Sequence, residues 1–350
     1  MHATTQTSLS SSKPLFCKPL YLRALAGIIA GIAVSAFASS ASAQTATATA
    51  ELNGSIRVVG TDTMKELMDR WIAAFTALHP GVHIELTAKG ALTAAPALSD
   101  GTADLAPLGR EFTPSELASF RAKRLYDPTG IRVALGSYNV SGKTVALAFY
   151  VNQSNPITKL NFQQLDAIYC NSLRRKAPYP ITKWGELGLT GEWANRDIHP
   201  VGVNFPDGIS NFIRLRVCKD GDLRQGIREE HTGGPINVLD RIVTDVAADP
   251  AAIGYAGFAN LKPGSKLIPV SEDDGPYLEG TPAEVRTAQY PLTRYIYIFV
   301  DRVPGQPIPP LERAFLRYVT SPAGQQLVGS DNIYMPLPLS IAANQQEELR

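Results

Sequence analysis

Three short turns carry the residue types best suited to chemistry. Gly60-Thr61-Asp62-Thr63, Gly90-Ala91-Leu92-Thr93 and Asp207-Gly208-Ile209-Ser210 each set a glycine beside hydroxyl or carboxylate side chains at the start of a helical pattern. Small residues there let backbone N–H groups converge at a helix N-terminus, where unpaired donors and the helix dipole attract small anions. Arg110 follows the apolar run at 103–106 and can bring a guanidinium to the same place. One such turn is either an ordinary helix cap or part of an anion cradle. Parallel α/β sheets gather their turns at the C-terminal ends of strands, so these three would fall together in that fold. Asp62 keeps two readings, a turn carboxylate or the acceptor that separates a protonated oxyanion from sulfate.

Catalytic patterns are missing. The chain has no HExxH, GxSxG or Walker loop, and no GxGxxG after a strand. His79 and His83 stand four apart, but Pro80-Gly81 between them prevents a shared helical face. Asp273-Asp274 and Glu229-Glu230 read as solvated loop charge, and Arg174-Arg175-Lys176 as exposed surface. No catalytic residue, metal or cofactor is therefore assigned, and the expectation is a binding protein rather than an enzyme. With 33 basic and 32 acidic residues, the chain lacks the basic excess of an electrostatic nucleic-acid binder.

The elements that must position the turns read as alternating strands and helices. At 350 residues with 44% apolar content, the chain has enough material for two domains with sizeable cores. Ile56 to Val59 is a short strand, and Met64, Leu67, Met68, Trp71, Ile72 and Phe75 form a helical stripe after it. Thr63 with Glu66 reads as the capping box of that helix, and Thr113 with Glu116 as the box of a later one that starts at Pro114. Strands at 82–86 and 103–106 complete a β-α-β-α-β unit, which implies a parallel sheet. A long apolar strand at 144–151 ends at Asn155-Pro156, a candidate crossing between domains. Further strands are expected at 198–203, 253–256 and 295–300, with helices around Leu165, Phe212 and Phe315.

The N-terminus reads as an address. Lys13, Lys18 and Arg23 precede an apolar run at 24–37, and Ala41-Ser42-Ala43 forms a small-x-small cleavage site. A run of this length is short of the roughly 20 residues that span a bilayer. Residues 1–43 are therefore expected to be a cleaved export signal, which leaves 30 basic and 32 acidic residues in the mature chain. Cys17 would leave with the signal. Cys170 and Cys218 would then lie in an oxidising compartment, where either a disulfide or two buried thiols fit the sequence.

In combination the motifs resemble the phosphate-binding subunits of phosphate ABC transporters across nearly all of residues 55–338. They are Val59-Gly-Thr-Asp-Thr-Met64, Gly101-Thr-Ala-Asp-Leu-Ala106 leading to Gly109-Arg110, Val151-Asn-Gln-Ser-Asn-Pro156 and Ile181-Thr-Lys-Trp-Gly185. Ile253-Gly-Tyr-Ala-Gly257, Tyr290-Pro-Leu-Thr-Arg294, Ser321-Pro-Ala-Gly-Gln325 and Met335-Pro-Leu337 follow in order. The resemblance implies a two-lobed α/β periplasmic-binding-protein fold of type II, with two crossing segments as a hinge. Lobe I would be 44–149 plus 263–350, and lobe II 150–262. It also implies a periplasmic monomer that binds inorganic phosphate or a similar oxyanion between the lobes and delivers it to a membrane permease.

Carried over by position, the ligand set is Thr61, Asp62, Thr63, Gly90, Ala91, Thr93, Arg110, Asp207, Gly208 and Ser210. The chain departs from the family pattern at Ala91, Gly109, Asn204 and Ile209, and Lys89 or Arg110 would have to replace a missing arginine. Two rival readings stay open: a sensor or interaction module with a degenerate site, which those departures favour, and a secreted phosphate-ester hydrolase using the same anion cradle.

Overall fold

The computed structural model describes residues 51–231 and 236–350, so the expected leader at 1–43 lies outside the described residues. The chain first runs β1 (Gly54–Gly60), α1 (Lys65–Leu78), β2 (Val82–Ala88), α2 (Ala94–Ser99), β3 (Leu105–Leu108), α3 (Pro114–Arg124) and β4 (Thr129–Leu135). It continues through β5 (Leu147–Asn152), β6 (Leu160–Asn161), α4 (Phe162–Tyr169), β7 (His199–Val203), α5 (Gly208–Arg216) and β8 (Arg228–Glu230). Next come α6 (Val238–Ala248), β9 (Ala252–Gly257), β10 (Ser265–Ile268), β11 (Val270–Ser271) and α7 (Pro282–Arg286). β12 (Tyr295–Val300), α8 (Pro310–Val319), α9 (Pro322–Val328) and α10 (Leu339–Glu348) complete it.

Two five-stranded sheets organise these elements. The first has the order β2-β1-β3-β12-β4, and the second β10-β5-β9-β7-β8. β1 pairs in parallel with β2 and β3, as the β-α-β-α-β pattern implies, but β12 enters antiparallel to both β3 and β4. The sheet is mixed because its fifth strand returns from far along the chain. Alternation along β12 explains its place: Ile296, Ile298 and Val300 join one apolar core, while Tyr297 and Phe299 join another on the opposite face. Trp71, Phe75 and Phe315 fill the first face, and Leu98, Phe112 and Phe120 the second.

The second sheet buries all six residues of β5 and all six of β9, as a strand covered on both faces must. Its core also takes Ile268, Val270, Val285, Tyr290 and Leu292, and β10 pairs antiparallel with β5. The segment from 263 to 292, assigned to lobe I from sequence, is therefore packed on the second sheet. Its apolar residues find a wall there, and the return to the first sheet comes only at β12.

Two segments cross between the sheets, 136–146 outward and 293–294 back. They are bonded to each other: Gly136 N–H donates to Arg294 O at 2.8 Å, and Leu147 N–H to Leu292 O at 3.1 Å. Ser137 and Val145 add a bridge within the first crossing. The result is the two-lobed α/β fold with crossing strands at an interlobe hinge.

Cys170 and Cys218 are joined by a disulfide, with Cα atoms 5.7 Å apart and a sequence separation of 48. It ties the end of α4 to the residues just after α5. Closing a loop of that length removes roughly 4 kcal/mol of unfolded-chain entropy. The Cys170→Ala, Cys218→Ala double variant should therefore lose about 2–4 kcal/mol in urea unfolding. An unchanged midpoint would mean that the link does not constrain the unfolded chain.

Candidate functional site

The turn after β1 begins the site. Thr61 N–H donates to Pro107 O at 3.0 Å, which places the turn against β3, and the Thr61 and Thr63 hydroxyls lie 3.0 Å apart. Thr61, not Thr63, is the cap: its Oγ1 accepts from Thr63 N–H, and a short 3-10 turn, Asp62–Met64, precedes α1. Glu66 does not close a capping box here, and its carboxylate instead meets Lys143 Nζ at 3.3 Å. Lys143 also donates to Thr63 O at 3.1 Å, and Thr144 Oγ1 to Gly109 O at 2.9 Å. A Cβ at Gly109 would come within 2.1 Å of Thr144 Oγ1, so the absence of a side chain there lets the Thr144 hydroxyl in.

α5 faces this wall from the second sheet. Asp207 caps it, accepting from Ile209 N–H at 2.7 Å, which leaves the Gly208 and Ser210 amides of the first turn without intrahelical acceptors. A Cβ at Gly208 would lie 2.3 Å from Arg110 Cδ, so the α5 turn rests directly on the Arg110 stem. Asn211 Nδ2 adds a long bond of 3.4 Å to Phe112 O. Between the walls lies a cavity of about 230 Å³. At roughly 30 Å³ per water in the liquid, it has room for a small tetrahedral oxyanion and a few waters.

The structure brings Thr61, Thr63, Ala91, Arg110, Asp207 and Gly208 to that cavity. It does not bring Asp62, Gly90, Thr93 or Ser210 to its wall. Asp62 is exposed, turned outward on the 3-10 turn. Gly90 donates its N–H to Gly60 O, and its carbonyl accepts the Thr93 hydroxyl at 2.8 Å. Ser210 is fully buried, with its hydroxyl donating back to Asn204 O and Asp207 O inside the α5 turn. Lys89 is exposed and does not replace an arginine at the wall.

Arg110 is at the wall but already paired. Its two terminal nitrogens donate to Glu116 Oε2 at 2.7 Å and Oε1 at 2.8 Å, and Nη1 also reaches Glu111 O. Glu116 meanwhile completes the expected capping box with Thr113. Burial alone would raise the Glu116 carboxyl, but the Arg110 guanidinium and the Thr113 hydrogen bonds outweigh it and hold the group below its ordinary value.

Arg294 is the cation that sequence reasoning placed only within a motif. It leaves the second crossing segment at the base of the cavity and is 5% exposed. Among the described residues its guanidinium makes one hydrogen bond, Nη2 to Gly109 O at 3.5 Å, and it lies 5.2 Å over the Phe212 ring. Burial lowers its pKa against the attraction of Glu111 and Asp207. The cavity thus has a buried positive centre, hydroxyls from Thr61, Thr63 and Thr144, and one carboxylate at Asp207. That donor set suits a ligand rich in oxygen and negative charge.

The model of the PBP superfamily domain matches residues 41–323. The chain belongs to the PBP superfamily. It is similar to the phosphate-binding protein PstS of Pseudomonas aeruginosa, with 33% identity over 299 residues, 85% of this chain and 88% of the relative. A more distant PstS from Staphylococcus aureus is 24% identical over 164 residues, 46% of this chain and 43% of its own. Among solved structures, PstS from Borrelia burgdorferi aligns with a TM-score of 0.51 at 15% identity, covering 82% of this chain and all (100%) of that one. An ABC-type phosphate transport receptor from Vibrio cholerae aligns at 0.50 and 20% identity, covering 81% of this chain and 100% of that one. At those identities the two structures speak for the fold alone. Membership associates this chain with the substrate-binding proteins of ABC transporters.

Within this PBP fold, Lys143, Thr144 and Arg294 are wall residues that the turn-by-turn reading missed. A signal for two of them was present: Ser141-Gly142-Lys143-Thr144 is one more small, hydroxyl-bearing turn beside a strand. Arg294 had no local signal, because its position depends on the crossing of two distant segments.

The Arg110–Glu116 pair yields a prediction. A carboxyl held below its ordinary value of 4.5 stabilises the fold above that pH, and the contribution is lost as pH falls through the lowered value. Glu116→Gln should cost about 3 kcal/mol at pH 7, since it leaves a buried Arg110 unpaired. Urea unfolding should also show the variant losing less stability than the parent on acidification. Equal acid sensitivity in both would place the titrating group elsewhere.

Proposed function

We propose that this chain is an exported receptor that binds phosphate, or an oxyanion of the same charge and shape, in the cavity between its sheets and passes it to an ABC permease. The observation that carries the reading is Arg294. A guanidinium buried to this degree with a single long hydrogen bond is costly unless an anion meets it. The Thr61, Thr63 and Thr144 hydroxyls and the first-turn amides of α5 are placed to bond the remaining oxygens. Similarity to the Pseudomonas aeruginosa phosphate-binding protein over 85% of the chain supports the same ligand. The export part of the reading rests on the sequence pattern of basic residues, apolar run and small-x-small site ending at Ala43.

Asp207 takes the role expected of Asp62. It is the carboxylate at the cavity wall, and with Oδ1 given to Ile209 N–H its other oxygen is the acceptor for a ligand O–H. Phosphate near neutral pH carries such a proton and sulfate does not, so a carboxylate at this place favours phosphate.

Calorimetric titration tests both residues. Arg294→Gln should weaken phosphate binding about 100-fold, the equivalent of about 2.7 kcal/mol. Its unfolding free energy without ligand should stay level or rise, because a buried unpaired charge has been removed. Weak binding together with a destabilised fold would make Arg294 structural. Asp207→Asn keeps a good helix cap, so α5 should persist. It should narrow the preference for phosphate over sulfate by about tenfold, or about 1.4 kcal/mol; an unchanged ratio would remove Asp207 from the selectivity argument.

A further inference from the structure

The oxyanion cavity adjoins a second one. Gly142, Lys143 and Ile209 belong to both, and the second has a volume of about 250 Å³. Val145, Val238, Leu239, Gly257 and Ala259 make up much of its wall. Asn237 sits at its edge but is already committed, capping α6 by accepting from Leu239 N–H at 2.9 Å and donating to Ser141. This annex therefore offers little to a charge and much to a short apolar group.

The two faces of the oxyanion cavity are unequal in the same sense. Side-chain donors come from the first sheet and the crossings: Thr61, Thr63, Lys143, Thr144 and Arg294. The α5 turn adds none, because Gly208 has no side chain, the Ser210 hydroxyl bonds back into its own turn, and Ile209 is aliphatic. What α5 offers an oxygen is its backbone, the Gly208 and Ser210 amides, with the Asp207 carboxylate for an O–H. The Ile209 side chain beside them suits a carbon, which needs no hydrogen-bond partner.

Building on the oxyanion reading above, we propose that the preferred ligand is an organophosphonate whose short apolar substituent passes Ile209 into the annex. Its three oxygens meet the donors of the first sheet and the crossings together with the α5 amides and Asp207, and the phosphorus-bound carbon faces Ile209. Ile209 sets the preference, and the annex sets the length of substituent.

The test is titration of the full chain with inorganic phosphate, methylphosphonate, propylphosphonate and propyl phosphate. Propylphosphonate should bind at least tenfold more tightly than inorganic phosphate. Lengthening methyl to propyl should add about fourfold per buried methylene. Propyl phosphate should bind more weakly than propylphosphonate, because an ester oxygen would sit against Ile209. Ala259→Phe, an exposed position on the annex wall, should abolish the gain with chain length and leave inorganic phosphate binding as it was. Phosphate binding with no advantage for propylphosphonate, or equal binding of the ester and the phosphonate, would overturn this inference alone. Binding of none of the four would overturn the oxyanion reading and this one with it.

Discussion

A guanidinium buried where two chain segments cross, with almost no protein acceptor, is the constraint around which the rest of the molecule is arranged. Moving an unpaired ion out of water costs several kcal/mol even after relaxation. The backbone of Arg294 is fixed at this crossing, its own carbonyl held by Gly136 N–H and the nearby Leu292 carbonyl by Leu147 N–H, and its side chain is buried there. Glu111 and Asp207 offset the charge from a distance, and the Phe212 face lies under it. The remainder falls on the apolar cores of both sheets. β5 and β12, which carry much of those cores, follow the two crossings directly, and β9 pairs with β5.

The Arg110–Glu116 pair explains why the cavity depends so heavily on one arginine. Glu116 closes the cap of α3 and also neutralises Arg110 through two hydrogen bonds, leaving the Arg110 stem as a platform for Gly208. Arg110 shapes the cavity more than it charges it. Lys143 contributes charge, yet it is tied to Thr63 O and to the exposed Glu66 carboxylate. Arg294 is the cation left to meet a ligand. In the function proposed here, a carboxylate at Asp207 on the opposite side selects among anions by their protons.

Local chemistry was legible in the sequence, and long-range placement was not. The capping box at Thr113 and Glu116 forms as its spacing implies. The strand at 295–300 was legible too, but not its antiparallel entry between β3 and β4, which depends on where a returning chain finds an open edge. Among the site residues, Thr61, Thr63, Arg110 and Asp207 were found because a turn and a helix start announce themselves. Asp62, Thr93 and Ser210 carry the right groups, but the turns use them internally or point them outward. A side chain of the right type in the right turn still has two directions, and sequence does not choose between them. The segment 263–292 was misplaced for a related reason: its apolar residues could serve either lobe until β10 paired with β5.

Affinity and closure rest on different residues in this arrangement. Thr61, Thr63, Thr144 and Arg294 sit on the first sheet and the crossings, so they meet a ligand whether or not the second sheet has swung in. Interactions equal in two states shift no equilibrium between them. Only the α5 turn, with Asp207, Gly208 and Ile209, approaches or retreats as the hinge bends. Moving such a hinge from almost fully open to almost fully closed requires about 10⁴-fold tighter binding to the closed form. That difference must come from a turn whose side chains supply one carboxylate and one aliphatic group. On the proposed reading, the chemistry of residues 207–209 governs which ligands can close the protein, and Arg294 governs which can enter it.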